Sequence, residues 1–166
     1  MKKLPAFPVE GGCLCGAVRY KLTEAPMGCY ACHCKDCQRL SGGPFSLSMP
    51  IRRAALVMLR GTFEGQHKTA DSGRTLTMMC CAKCRTILWN LPHATPDVAM
   101  LKPGTLDDLN WAVPIGNIWT QSKVAWVAID AKQPNFEGQP PSRQPLLEAW
   151  ARYMGLPPNP GGTSPI

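Results

Sequence analysis

The chain has 166 residues, 45% hydrophobic and 17% charged, a size at which one domain buries about 70% of its unfolded surface. That apolar content excludes a disordered or fibrous chain, and no run approaches the roughly 20 apolar residues of a membrane span. The formal net charge is +7, with 13 Lys/Arg against five Asp/Glu in residues 1–85; the basic half suggests nucleic acid or an acidic small molecule, against ordinary solubility charge, and Lys2-Lys3 and Arg52-Arg53 are only pairs, not a dense basic run of the nucleic-acid type.

The segment Met1–Pro8 starts basic, but Pro5, Pro8 and Glu10 interrupt it before an apolar core of secretory type forms. A reducing, cytoplasmic location is therefore expected. Val18, Tyr20 and Leu22 alternate with Arg19, Lys21 and Thr23, the period of a half-buried strand leaving the glycine-rich turn Gly11–Gly16. Further strands are predicted at Phe45–Met49, Leu56–Leu59, Leu76–Cys80, Ile87–Leu91, Val98–Leu101 and Trp126–Ile129, separated by glycines and prolines. One helix is predicted near the end: Ser142 caps it, Pro145 lies in its first turn, and Leu146, Leu147, Trp150 and Met154 recur at helical spacing before Gly155 and Pro157 stop it. Eight of the 17 prolines follow residue 133, and the last ten residues read as a loose tail.

The nine cysteines all lie between Cys13 and Cys84, and in a reducing compartment such clusters bind metal or do chemistry more often than they form disulfides. Cys81-x-x-Cys84 is a zinc knuckle supplying two sulfurs, and Cys13-x-Cys15 on its glycine-rich turn is a natural second pair. Together they make a structural four-cysteine site closing a long loop. Cys32, Cys34 and Cys37 supply three sulfurs within six residues and leave one coordination position over. An open position admits substrate, and a zinc carrying three thiolates is better suited to holding a thiol than to activating water. Cys29 or His33 would instead close this site as a second structural knuckle. With two zinc ions on seven thiolates the net charge falls to about +4.

Around these clusters, His33 points away from the metal in an extended Cys-x-Cys segment and is expected to pack behind the ligands. His67 and His93 read as isolated and solvated, and Cys80 as a small core hydrophobe. The Ser41–Gly43 turn is read as an ordinary turn, and Lys35, Arg39, Arg52 and Arg53 as either anion attractors or a solvated face.

Gly-Gly-Cys-x-Cys-Gly-Ala-Val-Arg-Tyr at 11–20, Cys-His-Cys-x-x-Cys-x-Arg-x-Ser-Gly at 32–42, Cys-x-x-Cys-x-Thr-x-Leu at 81–88 and Gly-Thr-Leu-Asp-Asp at 104–108 follow one another in an order that resembles the glutathione-dependent formaldehyde-activating enzyme family. The resemblance continues through Asn117-Ile118-Trp119, Lys123, Trp126 and Pro134-x-Phe136. It implies a mainly β, zinc-organised fold (the β-tent) of short antiparallel strands. It also implies a structural zinc on Cys13, Cys15, Cys81 and Cys84, and a catalytic zinc on Cys32, Cys34 and Cys37 with no ligand at Cys29. The implied reaction is the reversible addition of glutathione to formaldehyde, that of a carbon–sulfur lyase. Arg85, where the family usually has glycine, and Asn117, where it often has histidine, depart from the pattern.

The expected organisation is an N-terminal extension (1–8), a zinc-binding domain (9–137), a helix packed on it (138–156) and a flexible tail (157–166). The expected partners are a small thiol such as glutathione and an aldehyde, with neither membrane nor nucleic acid. The contrasting expectation is a zinc-stabilised module that binds protein or nucleic acid and has only closed metal sites.

Overall fold

The structure, a computed structural model, describes residues 4–70 and 72–157. The predicted tail falls almost wholly outside the described residues. Among the described residues ten strands form two sheets. The smaller contains β1 (Val9–Gly12), β2 (Arg19–Leu22) and β5 (Leu56–Arg60) in the order β1-β2-β5. The larger runs β10-β3-β4-β9-β8-β7-β6, where β3 is Tyr30–Cys32, β4 Ser46–Arg52, β6 Phe63–Thr69, β7 Thr75–Cys81, β8 Ile87–Pro92, β9 Val98–Leu101 and β10 Asn117–Ile118. A single helical turn, Arg53–Ala55, carries the chain from the larger sheet to the smaller.

The protein is mainly β, as the short alternating runs predict. In β2 the alternation buries Tyr20 and Leu22 and turns Arg19 and Lys21 outward, which is the pleat acting on sequence. All pairings are antiparallel except β3 with β10, where Asn117 lies beside Ala31 and Ile118 beside Cys32 in parallel register. That one pair is parallel because β10 is a two-residue return segment rather than half of a hairpin. Trp126–Ile129 forms no strand: Trp126 sits in a turn and is exposed, since an apolar run without a pairing neighbour gains no ladder.

Among the described residues two α-helices complete the fold. The first, α1 (Lys35–Ser41), follows β3 directly; it buries no residue and ends at Gly42 in the left-handed conformation. The predicted C-terminal helix is α2 (Gln144–Met154), with Pro145 in its first turn and Gly155 at its end. Ser142 Oγ accepts the Gln144 N–H at 3.1 Å, so it caps the first turn with Arg143 at the boundary position. Leu146, Trp150 and Met154 are buried on one face. Gly116, at φ +139°, lets this face approach: an added Cβ there would lie 2.4 Å from Leu146 Cδ2.

The main core gathers Val18, Tyr20, Leu22, Met49, Ile51, Leu88, Leu101 and Trp150, each large apolar side chain contributing about 1.5–3 kcal/mol on burial. A second, smaller cluster of Tyr30, Cys32, Met100, Ile118 and Leu146 has Cys34 and Cys37 packed against it. The three-cysteine motif therefore stands on an apolar floor.

Candidate functional site

Cys13 and Cys15 lie in the turn between β1 and β2, while Cys81 ends β7 and Cys84 lies in the turn that follows it before β8. One turn belongs to each sheet, so a metal here would join the two. The four sulfurs lie within 4.8 Å of one another. Cys13 Sγ is 3.5 Å from Cys15 Sγ, which is 3.9 Å from Cys81 Sγ, close to the roughly 3.8 Å edge of a tetrahedron with zinc–sulfur bonds of about 2.3 Å.

The surroundings hold these thiols in place. Gly16 takes φ +72° and returns its N–H to the Cys13 carbonyl at 3.0 Å, closing the turn without Cβ strain. The Val18 N–H donates to Cys13 Sγ at 3.2 Å. The Thr86 hydroxyl, 3.1 Å from Cys84 Sγ, and the Thr86 N–H hold that thiol down at about 5; the same hydroxyl accepts the Leu14 N–H, tying one knuckle to the other. A β-bulge between Met79 and Cys80 lets both Cys80 and Cys81 be buried, so Cys80 packs as expected while Cys81 joins the cluster.

Cys32 ends β3, Cys34 caps α1, and Cys37 lies in the first turn of that helix. Their sulfurs also lie within 4.8 Å of one another, with Cys32 to Cys34 at 3.5 Å. The Cys37 N–H donates to Cys34 Sγ at 3.4 Å. Hydrogen bonds from Cys32 and Cys37, aided by backbone N–H groups, hold Cys34 down at about 2, while the same sharing and burial push Cys32 up. A set made only of thiols at these separations fits zinc.

Neither residue that would close the sphere joins the three. Cys29 is buried, with its Sγ 3.5 Å from the Ala112 carbonyl and its thiol pushed up to about 12 by burial. His33 is fully buried, with Nε2 2.9 Å from Asn117 Oδ1 and its ring against Phe45. Gln38 Nε2 donates to the His33 and Ser122 carbonyls at 2.8 and 2.9 Å, so the loop behind the three cysteines is held from both sides.

The three thiols open into a cavity of about 210 Å³. Its walls include Met78, Met100 and Ile118, with Asn90 and Lys102 as polar groups. Lys102 donates to Ser46 Oγ at 3.0 Å. Burial pushes its ammonium below the usual lysine range, and the charge of the Cys37, Cys32 and Cys34 thiolates opposes that push. At the rim Lys68 on β6 pairs with Asp36 on α1 at 3.1 Å. This edge strand, seven residues of mostly exposed polar side chains, lacks the alternation that reveals its neighbours in the sequence.

A family model described as glutathione-dependent formaldehyde-activating enzyme matches residues 8–122, which contain all nine cysteines and the cavity wall up to Ser122. The chain belongs to this family. A Halomonas elongata protein named "Putative glutathione-dependent formaldehyde-activating enzyme" is 23% identical over 155 residues, covering 89% of this chain and 97% of its own. A crystal structure of a Rhodobacter sphaeroides protein aligns with 76% of this chain and 98% of its own at 15% identity, with a TM-score of 0.44.

The two departures from the formaldehyde-activating pattern have local explanations. Arg85 does adopt the left-handed conformation, φ +62°, with its N–H on the Cys81 carbonyl at 3.0 Å and its guanidinium paired with Glu64. A β-branched residue tolerates this conformation poorly. Arg85→Val is therefore expected to cost about 1–2 kcal/mol, read as a lower melting temperature in matched zinc-loaded samples. Asn117 spans His33 and Asn135, its Nδ2 lying 2.8 Å from Asn135 Oδ1, so it orients the histidine behind the ligands.

Of the other sequence candidates, Lys35 lines the cavity and bonds Gln38, whereas Arg52 pairs with Glu24 on the surface and Arg39 and Arg53 are exposed. Ser41 Oγ serves its own turn, accepting from the Gly43 N–H and donating to the Phe45 carbonyl. His67 and His93 are exposed but not isolated: both bond the Thr77 hydroxyl, at 3.2 and 3.0 Å. Lys102, Asn90, Arg74 and Arg143 line the cavity without a signal in the motifs; for Lys102 a charged residue ending the apolar run Val98–Leu101 was the available clue.

Among the described residues no helix is long and apolar enough to cross a membrane.

Proposed function

We propose that the protein is a zinc-dependent carbon–sulfur lyase that forms and cleaves S-hydroxymethylglutathione from glutathione and formaldehyde. Two zinc ions per chain are assigned: a structural ion on Cys13, Cys15, Cys81 and Cys84, and a catalytic ion on Cys32, Cys34 and Cys37. The observation that carries this reading is that the three-thiol set opens into a walled cavity that Lys102 also lines. Membership of a family described as glutathione-dependent formaldehyde-activating enzyme supports this substrate pair. The nine free cysteines suit a reducing compartment, and the cytoplasm is proposed on that ground.

When bound by Cys32, Cys34 and Cys37, zinc supplies an open coordination position for the substrate sulfur and positive charge that favours its thiolate form. In the forward direction a bond forms from the glutathione sulfur to the formaldehyde carbon, the carbonyl π pair moves to oxygen, and the thiol's proton ends on that oxygen. Cleavage reverses each change, so no other reactant is required. Lys102 offers N–H donors to the oxygen on which negative charge develops. Met78, Met100 and Ile118 limit water around the reacting atoms, which strengthens that interaction.

Mild chelation tests the assignment of roles. The three-cysteine zinc, with fewer protein ligands, is expected to leave first and take activity with it, while the second ion persists until unfolding. One non-exchangeable zinc per chain throughout, by elemental analysis, would overturn the two-site reading. Cys29→Ala is expected to retain both ions and most activity, because its thiol packs against Ala112 rather than facing the cluster.

A further inference from the structure

Arg74, just before β7, and Arg143, at the start of α2, line both the cavity of the three cysteines and an adjoining cavity of about 220 Å³. The ion pairs of the described residues use Arg19, Arg52, Lys68 and Arg85, and none engages either of these arginines. Arg143 Nε is buried without a hydrogen-bond partner, and so is the Thr95 hydroxyl in the wall of the second cavity. Two guanidinium groups brought to one place repel each other, and a buried donor without an acceptor costs free energy that a ligand can restore. Burial, then the nearby charge of Arg143, push the Arg74 guanidinium down, which agrees with that crowding. An acceptor-only anion matches this set of donors, and guanidinium forks bind carboxylates in bidentate fashion.

We infer that Arg74 and Arg143, with the Thr95 hydroxyl, form a subsite for a carboxylate carried by the thiol substrate at a distance from its sulfur. A free anion would satisfy the same donors. The shared wall favours a tethered one, because one molecule can place its sulfur at Cys32, Cys34 and Cys37 while its carboxylate reaches the arginines. Arg143 lies beyond residues 8–122, whereas Arg74 and Thr95 lie within them, so the subsite is completed by a residue from outside the family match. Arg74 and Arg143 are thus specificity-determining residues for a carboxylate-bearing thiol over a neutral one. The inference rests on the cavity being the thiol-substrate site.

The test uses zinc-loaded full-length protein, wild type and the variants Arg143→Gln, Arg74→Gln and Arg143→Lys. Turnover is measured with glutathione, glutathione diethyl ester and 2-mercaptoethanol, each with formaldehyde. Binding of S-methylglutathione and its diethyl ester, whose sulfur is blocked, is measured by calorimetry. Each glutamine variant is expected to raise KM for glutathione about ten- to a hundredfold, the worth of a charge-assisted hydrogen bond, with kcat far less affected. The ester and 2-mercaptoethanol should show no matching rise, S-methylglutathione should bind more weakly by a similar factor, and Arg143→Lys should recover part of the loss. Equal behaviour of acid and ester, no binding of S-methylglutathione to wild type, or competition by inorganic phosphate without discrimination between acid and ester would overturn the subsite. Should formaldehyde turn over with none of these thiols, the proposed lyase reaction falls while the calorimetric comparison still decides the subsite.

Discussion

Cys84→Ser is expected to lower the melting temperature by about 10–20 °C, corresponding to roughly 5 kcal/mol for a domain of this size. Cys84 belongs to the turn between β7 and β8, whose partner knuckle lies between β1 and β2 in the other sheet. A structural zinc contributes its binding free energy to folding, about 10–16 kcal/mol in zinc-finger peptides, against a net domain stability of only about 5–15 kcal/mol. Weakening this ion therefore consumes much of the margin. Part of the loss is independent of metal, since Cys84 also bonds the Thr86 hydroxyl that receives the Leu14 N–H. Thermal unfolding of zinc-loaded wild type and variant, with metal content measured on the same samples, checks the expectation; an unchanged midpoint with a single zinc retained would contradict it.

Cys34→Ser should divide the effects the other way. Serine is a good helix N-cap, so it can keep the role Cys34 plays when it accepts the Cys37 N–H at the start of α1. What it removes is one of three thiolates, and with it the open zinc, whose charge stabilisation is worth several kcal/mol. Turnover with glutathione and formaldehyde is expected to fall by about a thousandfold or more, while the melting temperature drops by only a few degrees, since the ion is not shared between sheets. Comparable losses of melting temperature in Cys34→Ser and Cys84→Ser would show that the two clusters do the same job.

The sequence was most informative where function depends on residues close together in the chain. Cysteine spacing is a local property: Cys32, Cys34 and Cys37 assemble as it implies, whereas the Cys13/Cys15 and Cys81/Cys84 pairs are local but are brought together only by the two sheets. Strands with an alternating or continuous apolar run, such as β2, β4, β7 and β9, were legible for the same reason. Exposed β6, three-residue β3 and the two-residue β10 were not, because their places are fixed by neighbours rather than by their own pattern. The seven-residue helix α1 buries nothing and so has no apolar stripe to reveal it; its sequence is occupied by ligands. Trp126–Ile129 erred in the opposite sense, apolar in composition with no strand to pair. The cavity wall was least accessible. Arg74, Asn90, Lys102 and Arg143 come from a turn, two strand regions and a helix boundary, and only the larger sheet and the start of α2 packed together bring them beside the cysteines. The sequence likewise separates His67 from His93 by 26 positions, while antiparallel neighbours on β7 bring both to Thr77.

The central claim is that Cys32, Cys34 and Cys37 hold a zinc whose fourth position is open to a substrate thiol. A crystal structure of metal-replete protein soaked with glutathione tests it most directly. The account predicts two metals, one bound by Cys13, Cys15, Cys81 and Cys84, and the other by Cys32, Cys34, Cys37 and the glutathione sulfur at about 2.3 Å. A Cys29 sulfur or a His33 nitrogen at ligand distance, closing that sphere with glutathione excluded, would contradict it and leave a zinc-stabilised binding module.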